Sequence, residues 1–390
     1  MTESMAFQAE TAARAKSLRL RARALPEDRY SILGAEMSLR TDSPEVRAFF
    51  AHAYRWFPSS AAEVDIELVA LFAKAGESGP SASAGSSWID LSRSASPQNR
   101  AFLFLLEAIM DAVRGSVVIH GAAVSRAGIG VILAGAAMAG KSTLALELLR
   151  LGYTFLSDDA APLERQSGLL APFPRAIGVR KTGLAQPLPS TGVLELPHKW
   201  LVDPAAFGAS LPARTCPPGY LFYLDAEPDD RPGAREFEVA FAEPVPEVVR
   251  EISQLPGCSV RPIEGRPFPV ISVRFVEGRG AFVALAGLWA RRRDAILFID
   301  EIRRATARGA AGPAIRPVEA TGLLLPIARD VLNRGEGGAL MSSHAGRLTS
   351  LVVELAQLLC SVRCFTVASG TPGETARAID RIVREGKDGP

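Results

Sequence analysis

Residues 135–143 constrain the fold of this chain more than any other segment, because they form a glycine-rich loop with fixed spacing. The loop consists of Gly135, Ala136, Ala137, Met138, Ala139, Gly140, Lys141, Ser142 and Thr143. In a G-x-x-x-x-G-K-S/T loop, backbone N–H groups surround phosphates, the lysine reaches the β/γ-phosphates and the hydroxyl binds Mg²⁺. The apolar run 131–134 before the loop predicts a strand, and the helix-forming run 141–150 after it predicts a helix. This order predicts an ATP or GTP site at a helix N-terminus; the alternative is a plain turn between a core strand and a helix.

Two adjacent carboxylates, Asp158 and Asp159, follow the next β-rich run, 153–157. Strands joined by one crossover helix usually pair, so we expect this run to lie beside the loop strand, with its carboxyl end near the phosphates. One carboxylate could then help to hold Mg²⁺, while the other orients and deprotonates an attacking hydroxyl. The alternative use of two aspartates here is a turn or a helix cap.

His120 ends another apolar run, 116–120, and is one of four histidines. A lone histidine at the end of a strand is more often structural than catalytic. Its position shortly before the loop strand nevertheless makes it a candidate site residue.

Together these segments resemble the kinase domain of bacterial HPr kinase/phosphorylase and related serine kinases, including those that phosphorylate lasso-peptide precursors. His120 stands 21 residues before Lys141 and Asp158 stands 17 after it, which is similar to the family's spacing, and the resemblance is clearest over 116–180. It implies an α/β P-loop fold of the HPr kinase and phosphoenolpyruvate carboxykinase type, with Mg-ATP as donor and a serine hydroxyl as acceptor. It also implies that Asp158 is the catalytic carboxylate near His120, and that Asp159 helps Ser142 to hold the metal.

The chain departs from the pattern of the bifunctional HPr kinase/phosphorylase at three places. Ala136 and Thr143 stand where the bifunctional enzyme usually has acidic residues, and 172–181 replaces its second, glycine-rich signature. The Pro-Phe-Pro-Arg form of this segment is more similar to the peptide-modifying and uncharacterised relatives. The same segment carries the basic residues Arg175, Arg180 and Lys181, which we predict to contact substrate or phosphate because arginine forks match phosphate oxygens. The alternative is a solvated loop.

Two later apolar runs end in acidic residues, the first at Asp225 and the second at Asp300 and Glu301. The second pattern is typical of ATPase motors and keeps that function open as an alternative. The other interpretation is two core strands that end at polar turns.

Composition excludes several classes of function. A net charge of +2 with 22% charged residues argues against nucleic acid as a partner. There is no apolar stretch of 18 residues and no basic-then-apolar leader, so we expect a cytoplasmic chain with no membrane partner. Four cysteines suggest no disulfide framework.

The 390 residues divide by composition into four parts. We expect a small N-terminal α/β domain over 1–76, a linker or mobile loop over 77–98, the P-loop kinase core over 99–280, and a C-terminal α/β part, 281–390, packed on that core. Within the first part, 18–25 alternates like a strand, whereas Ser43 and Ser96 each precede a proline that opens a helix. We expect the first domain to dock the peptide substrate, so a chain that begins near Ser96 should still bind Mg-ATP but need much more peptide for the same rate. The alternative is that residues 1–76 complete the core.

The sequence therefore predicts a Mg-ATP-dependent kinase that acts on a serine of a peptide or protein, with a lasso-type precursor peptide as one candidate. Two alternatives are a nucleotide-binding module or ATPase without an acceptor, and a kinase of a small-molecule hydroxyl. Self-association into a homo-oligomer is also open.

Overall fold

The structure is a computed structural model. It describes residues 2–386 except 73–78, 93, 95, 136–138, 181–187, 197–198, 208–210, 212–213, 225–233, 242, 266–268, 278–279, 293–294, 302–311, 330, 333–344 and 369. None of the helices in these ranges combines the length and apolarity needed to cross a bilayer.

The N-terminal part is a mixed sheet covered by helices. Its elements are α1 (Thr2–Ala22), β1 (Glu27–Ile32), β2 (Ala35–Thr41), α2 (Pro44–Ala53), β3 (Ile66–Leu71), β4 (Ser81–Ala84) and β5 (Ser87–Asp90). The five strands lie in chain order, and β2 and β3 are parallel. The expected strand at 18–25 is wrong, because 18–22 belong to α1, where Leu18 and Ala22 pack one helical turn apart on Val69 and Leu71.

The range 77–98, which we expected to be a linker or mobile loop, instead contributes β4 and β5 to this sheet. Its serines and alanines are small, so β4 is buried along its whole length and packs closely against the following helix, α3 (Pro97–Ala112). A composition typical of linkers is here the composition of a tightly packed strand.

The part with the glycine-rich loop, here called the P-loop part, begins after α3. Its first elements are β6 (Ser116–Ile119), β7 (Gly121–Arg126), β8 (Ile129–Gly135), α4 (Lys141–Arg150), β9 (Thr154–Ser157), β10 (Ala161–Glu164), β11 (Ile177–Arg180), β12 (Val193–Glu195), β13 (Lys199–Val202) and β14 (Pro218–Leu224). Among the described residues, β10 pairs with β6, and β11, β13 and β12 form a small antiparallel sheet.

A separate sheet follows β14 in the chain. It comprises β15 (Arg235–Phe241), α5 (Pro246–Ser253), β16 (Cys258–Ile263), β17 (Val270–Phe275), α6 (Ala281–Arg291) and β18 (Ile296–Glu301), with strand order β16-β17-β15-β18. This is a β-α-β-β-α-β, ferredoxin-like topology. The expected boundary at 280 falls inside this unit, between β17 and α6. Asp300 and Glu301 end β18, which pairs with β15 and not with the glycine-rich loop strand, so their position gives no support to an ATPase motor.

The last elements belong to the P-loop part again. They are β19 (Ala314–Val318), α7 (Leu324–Arg329), α8 (Ala345–Leu358), β20 (Arg363–Ala368) and α9 (Pro372–Glu385). In the described ranges the central sheet has the order β19-β20-β14-β8-β7-β9, with β20, β14 and β8 parallel. Asp225, which follows β14, lies outside the described residues. The C-terminal segment therefore supplies two strands of the sheet as well as packing on it.

The strand β9 does not pair with β8, contrary to our expectation. β7 lies between them because Ala127 and Gly128, both with positive φ (48° and 80°), form a two-residue turn that returns the chain into a hairpin. Since β7 is antiparallel to both neighbours, β8 and β9 run in the same direction. Their carboxyl ends meet at one edge of the sheet, as the sequence predicted.

Side chains on alternate positions of the central strands supply two apolar layers. One layer packs against α4 and α9, where Leu144 and Leu148 meet Ile379 and Val383. The other packs against α7 and α8 through residues such as Leu355. The helix that follows the glycine-rich loop is thus supported by the last helix of the chain.

We expect Gly135→Ala to destabilise the protein strongly. Gly135 ends β8 with φ 137°, and a Cβ there would lie 2.4 Å from the carbonyl oxygen of Leu224 in β14. Overpacking of this kind costs about 1–3 kcal/mol, in addition to the backbone strain. Gly128→Ala is the matched control, because Gly128 also has positive φ (80°) but open space around it. If urea unfolding shows equal losses for both variants, the close approach of β8 and β14 contributes nothing.

Candidate active site

The glycine-rich loop joins β8 to α4, in the predicted strand, loop and helix order. Gly140 is the N-cap of α4 and has φ 91° and ψ 18°, a left-handed conformation that glycine adopts without steric cost. Ala139 is half-buried and Thr143 is exposed. Ala136, Ala137 and Met138 lie outside the described residues. The N–H groups at a helix N-terminus favour an anion.

Lys141 lies at the start of α4 and is only 5% exposed. Its Nζ donates a hydrogen bond to the carbonyl oxygen of Gly135 at 2.9 Å, so the side chain reaches back across the loop. The ammonium group is therefore located at the edge of the sheet where β8 and β9 end.

Asp158 is the more buried of the two carboxylates, with 1% exposure. Its Oδ2 accepts a hydrogen bond from the backbone N–H of Gly178 at 3.3 Å, while Oδ1 has no hydrogen-bond partner among the described residues. Burial and the neighbouring Asp159 charge raise the pKa of Asp158 to about 7, although the Ser142 hydroxyl and the Arg175 cation partly oppose them. A carboxyl group with this pKa changes protonation state near neutral pH, as a general base requires.

Asp159 is held differently, in a left-handed backbone conformation with φ 62°. Its Oδ2 accepts a hydrogen bond from Arg175 Nη2 at 3.0 Å, and its side chain is 41% exposed. Burial opposes ionisation, but positive charge, above all that of Arg175, outweighs it and lowers the pKa of Asp159. The environments of two adjacent aspartates thus push their pKa values apart, which is how acid–base roles are divided in active sites.

His120 connects β6 to β7 and faces the same edge. Its Nδ1 is 3.2 Å from the carbonyl oxygen of Asp159. Because a carbonyl oxygen only accepts, Nδ1 carries the proton and Nε2 is left as an acceptor. Burial, and then the Lys141 ammonium, lower the pKa of His120 to about 4, so the ring is neutral at physiological pH.

Of the three predicted basic residues, the structure describes the side chain of Arg175 alone. Arg175 pairs with Asp159. Arg180 ends β11, where only its backbone is described, and Lys181 lies outside the described residues. Sequence reasoning missed Lys199 of β13, which stands opposite Arg180 in the strand register and also lowers the pKa of Asp159. No motif marks Lys199, because it meets the site only through strand pairing.

The donor set at this edge suits a hard cation. Ser142, Asp158 and Asp159 offer oxygen atoms, and the buried Oγ of Ser157 and Oδ1 of Asp158 have no hydrogen-bond partner within the described part of the chain. Within the described ranges, no three His, Cys, Asp or Glu residues cluster as metal ligands. Magnesium sites that share a cation with substrate phosphates need only one or two carboxylates, so these residues fit Mg²⁺.

Comparison with known proteins agrees with this geometry. Residues 112–173 match the family described as HPr Serine kinase C-terminal domain, a range that includes His120, the glycine-rich loop and both aspartates. No curated protein matches the chain. Among solved structures, the Hpr(Ser) kinase/phosphatase from Coxiella burnetii is similar at 16% identity, covering 45% of this chain and 95% of its own, with a TM-score of 0.21. A TM-score that low supports no statement about shared architecture. The family match confirms the predicted resemblance to HPr kinase-like proteins over residues 112–173 and agrees with a P-loop α/β fold there.

Proposed function

We propose that the chain is a Mg-ATP-dependent kinase that transfers the γ-phosphate to a serine hydroxyl of a peptide or protein. The observation that carries this proposal is the position of Asp158, buried at the end of β9 beside the N-terminus of α4. A group of this kind next to a phosphate-binding loop is what phosphoryl transfer to a hydroxyl needs.

Each residue at this edge of the sheet has a role that its surroundings support. Lys141 and the backbone N–H groups of the loop bind phosphate oxygens, and Ser142 and Asp159 hold Mg²⁺. When bound, Mg²⁺ neutralises charge on the phosphates. Asp158 accepts the proton of the acceptor hydroxyl, and neutral His120 orients this carboxylate or the γ-phosphate. Burial, and then the Lys141 charge, keep His120 from taking a proton itself, because both lower the pKa of the histidine.

The proposal also names a class of phosphate acceptor. The segment 172–181 is more similar to the peptide-modifying relatives than to the bifunctional enzyme. We therefore propose a serine of a ribosomally made precursor peptide, of the lasso type, as the acceptor.

The test is transfer of labelled γ-phosphate to a serine-containing precursor peptide encoded next to the gene, with a serine-to-alanine peptide as control. Stoichiometric phosphoserine on the first peptide alone supports the kinase. Tight Mg-ATP binding with no phosphorylated acceptor contradicts it and favours a nucleotide-binding module. Transfer to a small-molecule hydroxyl instead overturns the acceptor class.

Lys141→Ala is expected to reduce transfer by about 10²–10³-fold, because a methyl group cannot replace a charged hydrogen bond to the phosphates. Calorimetry should show weaker ATP binding in a folded protein. Lys16→Ala in α1 is the control, since it removes a lysine of the N-terminal part and should leave both quantities unchanged. Wild-type transfer by Lys141→Ala would show that the loop does not bind the donor.

The pH dependence of kcat/KM should follow the ionisation of Asp158. Its pKa is raised to about 7, and only the ionised form can take the hydroxyl proton, so kcat/KM should rise with pH through an inflection near that value. His120, with a pKa of about 4, should add no inflection above about pH 5. Rates measured from about pH 5 to about pH 9 at fixed ionic strength test this expectation. A flat profile would mean that Asp158 does not act as the base.

A further inference from the structure

The N-terminal part contacts the P-loop part through residues 52–57, which comprise the end of α2 and the residues just after it. His52 Nε2 is 2.9 Å from the carbonyl oxygen of Leu201 in β13. The carbonyl oxygen of Ala53 accepts a hydrogen bond from the N–H of Ala176 at 3.2 Å. Further contacts are aromatic: the rings of Tyr54 and Phe57 pack on Phe173, at centroid distances of 6.3 and 5.1 Å. The segment 173–176, which carries Arg175, is therefore held from the N-terminal side.

A buried carboxylate fixes the other side of the same contact. Asp203, which follows β13, is 2% exposed. It accepts hydrogen bonds from Trp56 Nε1 at 3.1 Å and from the N–H of Ala205 at 2.9 Å, and it forms an ion pair with Arg55. A buried charge that loses such partners is strongly destabilising, so this contact fixes the docked position.

Tyr54, within the segment 52–57, lies next to Arg175. Its side chain is fully buried, and its hydroxyl lies beside the Arg175 guanidinium without the geometry of a full hydrogen bond. Burial disfavours the Arg175 cation, but Tyr54 and the two aspartates outweigh it and raise its pKa above the ordinary value. The other end of the same guanidinium donates to Asp159 at 3.0 Å.

We propose that the end of α2 is a working part of the phosphoryl-transfer site: it holds the 173–176 segment so that Arg175, a positioning residue, orients the Asp159 carboxylate for metal binding. The inference rests on the proposed function for the role of Asp159. The contacts that carry it cross from the N-terminal part, so this part completes the site. In this arrangement the Arg175 guanidinium is paired with the Asp159 carboxylate.

The test measures the Mg²⁺ concentration that half-saturates ATP binding, by calorimetry on the full chain. Arg175→Gln should raise this concentration roughly 10–100-fold, the usual effect of removing a group that orients a metal ligand. Arg175→Lys should lie in between, because it keeps the charge but loses the planar fork. Tyr54→Phe keeps the ring packing and removes only the hydroxyl beside the guanidinium, so it should raise the Mg²⁺ requirement less than Arg175→Gln does.

A double-mutant cycle separates positioning from general stability. If Arg175 acts through Asp159, adding Arg175→Gln to Asp159→Asn should change the Mg²⁺ requirement little further. The control is a similar set of an arginine, a tyrosine and an aspartate at the opposite end of β9 from Asp158 and Asp159. The Arg126 guanidinium lies 5.0 Å from the Tyr153 ring and pairs with Asp380 at 2.8 Å. Arg126→Gln and Tyr153→Phe should lower Tm without changing the Mg²⁺ requirement.

Three results would overturn the positioning role. They are an unchanged Mg²⁺ requirement in Arg175→Gln, fully additive effects in the cycle, and a lowered requirement, which would mean that Arg175 competes with the metal. If Arg175→Gln does not fold, Arg175→Lys and Tyr54→Phe decide the question by the same measurement. Normal Mg-ATP binding without transfer to any acceptor would contradict the proposed kinase and leave this inference standing.

Discussion

A chain that begins at Ser96 is expected to lose ATP binding altogether, or to be insoluble. The contacts of the N-terminal part reverse the expectation drawn from composition, in which this part was an independent dock for substrate. Its apolar core is continuous with that of the residues after Ser96: Phe49 of α2 packs on Phe102 of α3 with a centroid distance of 4.3 Å, and the same cluster includes Phe173 and Ala176. Removing residues 1–95 would expose this surface to water, at about 25 cal/mol for each Å² of apolar area.

A shorter deletion provides the control for this prediction. Helix α1 packs on β3 through a small cluster of its own, which includes Leu18, Ala22 and Leu71. A chain that begins at Ala24 loses this cluster and the contacts of Arg14 and Arg19 with Trp88, Glu67 and Gly85. It keeps the larger apolar cluster that contains Phe49 and Phe173, so we expect it to stay soluble and to bind Mg-ATP. Solubility, circular dichroism and calorimetric ATP affinity distinguish the two chains. If the chain from Ser96 is folded and binds ATP with wild-type affinity, residues 1–95 are a separate domain after all.

Local spacing was enough to predict the parts of the fold that depend on neighbouring residues. Ser43 caps α2 by accepting a hydrogen bond from the N–H of Val46 at 3.2 Å, and α3 begins at Pro97 as the sequence indicated. The loop strand and α4 also follow the predicted order. In each case the signal and the structure span only a few residues, so long-range packing could not override it.

The errors have a common cause in tertiary packing. Alternation at 18–25 suggested a strand, yet arginine, leucine and alanine are all good helix formers, and packing on β3 selected the helix. The Ser- and Ala-rich range 77–98 suggested a linker, yet small residues suited β4 beneath α3. The hairpin of β7 and β8 had a signal, the two turn residues Ala127 and Gly128, but alanine is unusual where φ is positive.

The candidate site likewise contains residues that the sequence predicted and residues that it missed. His120, Lys141, Asp158 and Asp159 lie at one edge of the sheet, as their spacing along the chain suggested, because each directly precedes or follows a strand or lies in the loop. Tyr54 and Lys199 reach the same edge from distant segments and belong to no motif. Only the docking of the N-terminal part and the pairing of β11 with β13 bring them there.

Asp158→Asn is expected to reduce the transfer rate by about 10²–10⁴-fold, the usual contribution of a general base. The amide has nearly the same shape and can still accept the hydrogen bond from Gly178, which the wild-type carboxylate accepts at 3.3 Å. It cannot take the acceptor proton, so chemistry should be lost while ATP affinity stays nearly unchanged. Single-turnover rates and calorimetry on the same preparation separate the two effects.

Two further aspartates make the result specific to Asp158. Asp380→Asn weakens the pairs with Arg126 and Arg384 on the far side of α4, so it should lower Tm and leave the transfer rate unchanged. Asp159→Asn should instead raise the Mg²⁺ requirement, because its carboxylate is the one that Arg175 keeps ionised. If the two neighbouring variants show each other's phenotype, the base and the metal ligand are exchanged. If both are silent, Asp158 and Asp159 form only a turn at the end of β9, and the proposed chemistry fails with them.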